Sequence, residues 1–240
     1  PGSVPVLEGL DFTIEPGETV AILGQTGSGK TSLINLIPRL YDATSGAVLI
    51  DGHDVRELDL DAVRSQIGVA AQQPVLFSGT IADNLRYGNA DATFDDIQRA
   101  AEIADAHDFI CAQVSGYDSE VAEQGRNLSG GQRQRVSLAR AIASGPRILL
   151  LDDTTSAVDV ATEARIQERL RDELAGRTVV IVAQRISTAI GADKIVLLDR
   201  GRVDAIGTHA ELMESSPAYA EIVESQLGSI DEVTELLEKR

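Results

Sequence analysis

The eight residues GQTGSGKT, Gly24–Thr31, constrain this chain more than any other stretch. They match G-x-x-x-x-G-K-[S/T] in full, a pattern that average composition produces by chance in about one chain of this length in a hundred. Glycines let backbone N–H groups converge on phosphate oxygens without a Cβ in the way. The motif follows the β-rich run Glu18–Leu23 and precedes a run with helical spacing at Leu33, Ile34, Ile37 and Leu40. A helix starting near Gly29 aims its positive end at the same phosphates. Gly24, Gln25, Thr26, Gly27, Ser28, Gly29, Lys30, Thr31 and Ser32 are therefore the expected nucleotide cradle. Lys30 is suited to the β- and γ-phosphates, and the Thr31 hydroxyl to Mg²⁺.

The remaining pattern predicts an α/β fold. Ile148–Leu151, Val179–Val182 and Ile195–Leu198 are short apolar runs, and Glu163–Leu174 between the first two reads as a crossover helix. Such alternation predicts a mostly parallel sheet covered on both faces. Val6–Ile14 and Ala47–Asp51 also read as strands, Asp51-Gly52 as a hairpin turn, and Asp199–Arg202 as a turn joining two late strands. From about Ile81 to Ser144 the residues turn helical in period, which suggests an inserted lobe. The expected division is one domain over 1–240, with a core at about 1–80 and 148–240 and a helical part at about 81–147.

Charge and composition narrow the function. The net charge of −17 argues against nucleic acid as a partner, because binding it needs clustered basic residues. The single cysteine, Cys111, permits no internal disulfide and no cysteine zinc site. No apolar run approaches the 18 residues of a membrane span. The chain begins at Pro1 just before a strand-like segment, as a piece cut from a longer protein would. Near its other end, Ile230, Val233, Leu236 and Leu237 form an apolar stripe at helical spacing.

Asp152 ends the buried run ILLLD, where a carboxylate beside the cradle can hold Mg²⁺. LSGGQRQR, Leu128–Arg135, opens a helix in the helical segment, and paired glycines there again make a phosphate-seeking N-terminus. With these motifs the chain resembles the nucleotide-binding domain of an ABC transporter, most like the exporters. Gln72 in AAQQPVLFSGTI matches that family's Q-loop glutamine, EVAEQG resembles the exporters' cross-linking loop with Ala122 where glycine is usual, and SAVD, Ser156–Asp159, is similar to the D-loop. ADKIVLLDRGRV and GTHAEL resemble the closing segment. The resemblance implies a P-loop NTPase core with an N-terminal antiparallel β subdomain and an inserted α-helical subdomain. It implies ATP and Mg²⁺ as cofactors, with Thr31, Gln72 and Asp152 at the metal. It also implies head-to-tail pairing with a second nucleotide-binding domain, whose ATP meets Ser129, Gly130, Gly131, Gln132 and Asp159 of this chain. Membrane-domain coupling helices near the Gln72 loop, and a place at the cytoplasmic face of the cell membrane, follow from the same resemblance.

Two positions depart from the family pattern. The catalytic glutamate that follows the Asp152 position is Asp153 here, one methylene and about 1.5 Å shorter. The switch histidine is Gln184, which donates a hydrogen bond but cannot become cationic. Both serve the chain's own cradle, whereas LSGGQ, which serves the partner's nucleotide, is intact. This implies one half of a heterodimeric exporter, with a slow site of its own, weak turnover in isolation, and a partner carrying glutamate and histidine. The alternatives are a homodimeric transporter that tolerates both changes, and a non-transport ABC ATPase acting on DNA or ribosomes, against which acidity and the exporter-like loop weigh. An unrelated P-loop kinase or GTPase leaves the signature unexplained. The family's adenine-stacking aromatic is missing before Phe12. Of the other residues singled out, His107 and His209 read as surface or capping residues, His53 follows a turn, Cys111 reads as a small core residue, and Tyr41 and Tyr87 as packing residues.

Overall fold

The structure, a computed structural model, describes residues 5–227. Its strands are β1 (Thr19–Leu23), β2 (Leu49–Ile50), β3 (His53–Asp54), β4 (Ile67–Ala70), β5 (Gly79–Thr80), β6 (Glu120–Val121), β7 (Ile148–Asp152), β8 (Thr178–Val182), β9 (Lys194–Asp199) and β10 (Arg202–Gly207). The helices are α1 (Lys30–Leu36), α2 (Leu60–Ser65), α3 (Ile81–Arg86), α4 (Phe94–Ile103), α5 (His107–Cys111), α6 (Gly130–Ala143), α7 (Val160–Glu173), α8 (Ile186–Ala189), α9 (His209–Ser215) and α10 (Pro217–Leu227). The apolar stripe at 230–237 and the Pro1-Gly2 start lie outside the described residues.

Six strands form the central sheet in the order β10-β9-β1-β8-β7-β4, parallel throughout except for β10 against β9. Alternation within each strand divides the core between two faces. Ala21, Leu23, Leu149, Leu151, Val179 and Ile181 join the larger cluster with the helical segment, α7 and α10. Ile22, Leu150, Val180 and Val182 face the smaller cluster with Leu33 and Ile34 of α1 and Val63 of α2. Burial on both faces is why these strands read as continuous apolar runs rather than alternating ones. Helices α3 to α6 lie between Ile81 and Ala143, and Asp105 ties them to α7 by accepting from Arg165 and Arg169 at 2.9 Å and lying 3.4 Å from Arg135. Burial raises the Asp105 pKa, but the guanidiniums of Arg165, Arg169 and Arg135 outweigh it and hold the carboxyl below its ordinary range.

Both expected turns form. Asp51 and Gly52 take φ values of 50° and 79° between β2 and β3, and Arg200 and Gly201 take 43° and 79° between β9 and β10. Left-handed pairs of this kind match the twist of a two-residue hairpin. At Gly201 a Cβ would also lie 2.2 Å from the Val6 carbonyl, so only glycine fits.

Several expectations need correction. Val6–Ile14 is not a strand: Leu7, Leu10, Phe12 and Ile14 pack on the smaller cluster, but the segment makes no described ladder, and the Glu8 N–H instead donates to the Gly201 carbonyl at 2.8 Å. Only Leu49–Ile50 of 47–51 pairs. The antiparallel structure beside the central sheet is thus two short ribbons, β2-β3 and β5-β6. Helix α1 stops at Leu36 rather than Leu40, because Pro38 has no N–H to continue the ladder. Arg39 turns left-handed there, and the Leu40 N–H closes on the Asn35 carbonyl at 3.0 Å. Helix α7 starts earlier than Glu163 because Asp159 caps it, accepting from the Thr162 N–H at 2.9 Å. Cys111 is exposed rather than buried, sitting at the end of α5 with its Sγ 3.5 Å from His107 Nε2. His209 caps nothing: Thr208 and Glu211 form the capping box of α9, and the half-buried His209 ring bonds the Tyr219 hydroxyl at 2.8 Å. Tyr41 and Tyr87 are equally exposed, but Tyr87 stacks on Phe77 with centroids 4.2 Å apart, whereas Tyr41 has no ring partner among the described residues.

Candidate functional site

The carboxyl ends of β1 and β7 bring the cradle and the paired carboxylates together. After Leu23 the chain turns through Gly24, Gly27 and Gly29, at φ 150°, 83° and 103°. A Cβ on Gly24 would stand 2.1 Å from the Leu198 carbonyl, so the loop is pressed against β9 where only glycine fits. Lys30 is buried and its Nζ donates to the loop's own carbonyls, Gly24 at 2.7 Å and Gln25 at 2.8 Å. Desolvation lowers the Lys30 pKa, and Asp152 and Asp153 oppose that. Among the described residues, Ser28 Oγ is buried without a hydrogen-bond partner. A buried, unpaired hydroxyl in a glycine loop suits a phosphate oxygen, because leaving such a group unsatisfied costs about 1–3 kcal/mol.

Asp152 and Asp153 are 6% and 9% exposed, so two acidic groups are desolvated side by side. Burial raises both pKa values. At Asp152 the Thr31 hydroxyl and Lys30 pull the other way, and at Asp153 Gln72 and Ser156 do so. Asp153 has a left-handed backbone, φ 50°, which aspartate tolerates better than most side chains. Its N–H donates to the Val182 carbonyl at 3.1 Å, which pins the start of the turn to β8. Its Oδ2 accepts from Gln184 Nε2 at 2.6 Å and lies 3.3 Å from Gln72 Nε2. Thr31, Lys30, Gln72, Asp152, Asp153 and Gln184, separate in the chain, thus converge on one place.

The signature residues are arranged differently. Ser129 caps α6: its Oγ accepts from the Gln132 N–H at 3.2 Å, and Gln132 Oε1 accepts from the Ser129 N–H at 2.9 Å. Gly131 packs on the D-loop, where an added Cβ would meet the Ala157 carbonyl at 2.8 Å. Buried Gln134 bridges the same loop, donating to Ser156 Oγ at 3.0 Å and accepting from the Ala157 N–H at 2.8 Å. Among the described residues no hydrogen bond joins Ser129–Gln132 to Gly24–Thr31. Asp159 holds its own helix, bonding the Thr162 backbone and hydroxyl at 2.9 and 2.8 Å.

Sequence reasoning missed a second layer. Glu163, 5% exposed, accepts from the Thr155 and Thr188 hydroxyls at 3.0 and 2.6 Å and pairs with Arg185. Its spacing with Ile166, Leu170 and Leu174 places it in the apolar stripe of α7, a signal that was there to find. Gln226, which bonds the switch segment, carried no such signal.

A glycine loop joining β1 to α1 on a mostly parallel sheet, with the helix that opens at Ser129 packed on the Ser156–Asp159 loop, is the arrangement of an ABC ATPase. The model of the ABC transporter family matches residues 7–156, and the chain belongs to that family. It is 47% identical over 222 residues to a protein assigned as a multidrug export ATP-binding/permease protein of Staphylococcus aureus strain NCTC 8325, covering 92% of this chain and 38% of that one. The corresponding protein of the bovine strain RF122 is 46% identical over the same length and coverage. Among solved structures, a bacterial Atm1-family ABC exporter with ATP bound superposes with a TM-score of 0.89 at 39% identity, over 94% of this chain and 39% of that one. The chain therefore spans about two-fifths of the length of these relatives.

Proposed function

We propose that this chain is the ATP-binding motor domain of an ABC exporter, and the half whose own site hydrolyses slowly. Its cradle, Gly24–Ser32, holds the triphosphate. Thr31, Asp152 and Gln72 would hold Mg²⁺, which would supply neutralisation of the phosphate charge. Ser129, Gly130, Gly131, Gln132 and Asp159 close over the ATP of a partner domain carrying glutamate and histidine. The core at about 1–80 and 148–240 carries the cradle, and the helical part at about 81–147 carries the signature. The relatives' membrane role and the exposed Val75 and Phe77 just beyond Gln72, with Tyr87 stacked on Phe77, support docking of membrane-domain coupling helices there, and hence a place at the cytoplasmic membrane face.

The observation that carries the reading is the 2.6 Å bond from Gln184 to Asp153. The residue in the base position is shortened, and the residue in the switch position gives it one amide N–H and has no proton to shuttle. A positioned base contributes roughly a hundred- to ten-thousand-fold, so a carboxylate that falls short leaves ATP bound but slowly cut. The signature end supports the second half of the reading, because its glycines and cap are intact.

The test is to mix the chain with a nucleotide-binding domain bearing glutamate and histidine at the two positions. Turnover should rise sharply over either component. Brisk hydrolysis by this chain alone, or no stimulation at any ratio, would overturn the proposal.

A further inference from the structure

The switch segment is held from two directions. Glu163 grips Thr188 and Arg185 from within the core. From outside, Gln226 in the last turn of α10 accepts from the Ile186 N–H at 2.8 Å and donates to the Gln184 carbonyl at 3.0 Å. One side-chain amide thus satisfies the backbone on both sides of Arg185. These groups need an outside partner: Ile186 opens α8, and Arg185 at its N-cap makes no side-chain cap bond. Among the described residues, the Gln226 bonds are the only backbone hydrogen bonds tying 184–186 to another element.

We propose that Gln226 is a positioning residue for the switch, and that it sets how strongly this site prefers nucleoside triphosphate over diphosphate. The inference rests on the reading above, in which Gln184 serves the chain's own nucleotide. Gln184 reaches Asp153 through a flexible side chain, so its amide is only as well placed as its backbone. Hydrogen bonds weaken steeply with misalignment, and a shift of half an ångström at the backbone is felt at the amide. Diphosphate ends before the switch and is held by the cradle, which Gln226 does not touch. Triphosphate reaches the switch, so its affinity depends on where Gln226 holds Gln184. Helix α10 is anchored independently by Tyr219 and Val223, both fully buried, so the exposed Gln226 is replaceable without opening the core.

The experiment is titration of the full 240-residue chain with Mg-ATP and Mg-ADP, for wild type, Gln226→Ala, Gln226→Glu, Gln184→Ala and the Gln226→Ala/Gln184→Ala double variant. Gln226→Ala is expected to weaken ATP about tenfold, the size of one lost hydrogen bond to a charged group, and to leave ADP within about twofold. Gln226→Glu can still accept from the Ile186 N–H but sets an acceptor-only oxygen against the Gln184 carbonyl, and is expected to weaken ATP at least as much as Gln226→Ala. Gln184→Ala removes the same preference, and the double variant removes no more, because both act through one contact. Equal weakening of ATP and ADP by Gln226→Ala marks a merely structural role and overturns the proposal. So does an unchanged preference in Gln226→Ala when Gln184→Ala abolishes it. If Gln184→Ala itself leaves the preference intact, the assignment of Gln184 to this nucleotide fails, and the inference fails with it.

Discussion

The cradle end and the signature end of this chain are built on opposite terms. At the cradle, two carboxylates and a lysine are desolvated together, Ser28 Oγ has no partner among the described residues, and Asp153 sits in a left-handed turn. At the signature, every polar side chain singled out has found a mate: Ser129 with Gln132, Gln134 with Ser156 and Ala157, Asp159 with Thr162. The first arrangement holds a buried hydroxyl that a ligand would satisfy. The second is paired within the chain at its cap and at the D-loop, and its atoms buried without a partner among the described residues, Arg135 Nε and Arg140 Nη1, lie further along α6. A tense site and a relaxed one respond differently to the same kind of change, and that difference is measurable.

The largest contrast concerns ligand affinity. Lys30→Met removes the buried ammonium and should weaken Mg-ATP binding roughly ten- to a hundred-fold by calorimetry. Ser129→Ala at the other end should leave that affinity unchanged. If both lower it equally, the two ends are not separable.

Stability should show the reverse order. Gln134→Leu strands Ser156 Oγ and the Ala157 N–H, and should cost about 1–3 kcal/mol in urea unfolding. Ser129→Ala should cost about 1 kcal/mol through the lost cap. A neutral Gln134→Leu would mean that the D-loop does not depend on α6.

A smaller effect has the opposite sign at the cradle. Burial raises the folded pKa of Asp152 above its unfolded value of 3.8. The folded chain therefore binds the proton more tightly, and stability falls as pH rises from 3.8 through the folded pKa. Asp152→Asn should accordingly raise the thermal midpoint of the ligand-free chain at pH 7, with the gain fading below pH 3.8. At the same time it should remove the Mg²⁺ dependence of ATP binding. A lower midpoint at pH 7 would contradict the desolvation argument.

Much of this is legible in the amino-acid sequence. Buried parallel strands announce themselves as apolar runs, and Asp51-Gly52 and Arg200-Gly201 announce hairpin turns, because both signals are local. The convergence of Lys30, Asp152, Asp153, Gln72 and Gln184 was implied too, by the resemblance to the ABC transporter domains. What escaped was tertiary. Val6–Ile14 alternates like a strand but makes no described ladder, and ladder pairing lies outside its own pattern. The left-handed backbone at Asp153 comes where its N–H bonds the Val182 carbonyl of β8, a partner 29 residues away that its local sequence does not announce. Gln226 bonds a segment 40 residues away from a helix whose own spacing explains nothing about it.

The account's central claim is that the cradle binds triphosphate but lacks reach at 153 and a proton-carrying group at 184. Its most direct test is single-turnover ATP hydrolysis by the chain carrying both Asp153→Glu and Gln184→His, paired with a partner domain whose own cradle lysine is removed. The account predicts acceleration at this chain's site of roughly a hundred- to ten-thousand-fold over the unaltered pair, with little change in ATP affinity. An unaltered chain that already cuts at the restored rate, or a restored chain no faster than the original, would contradict it.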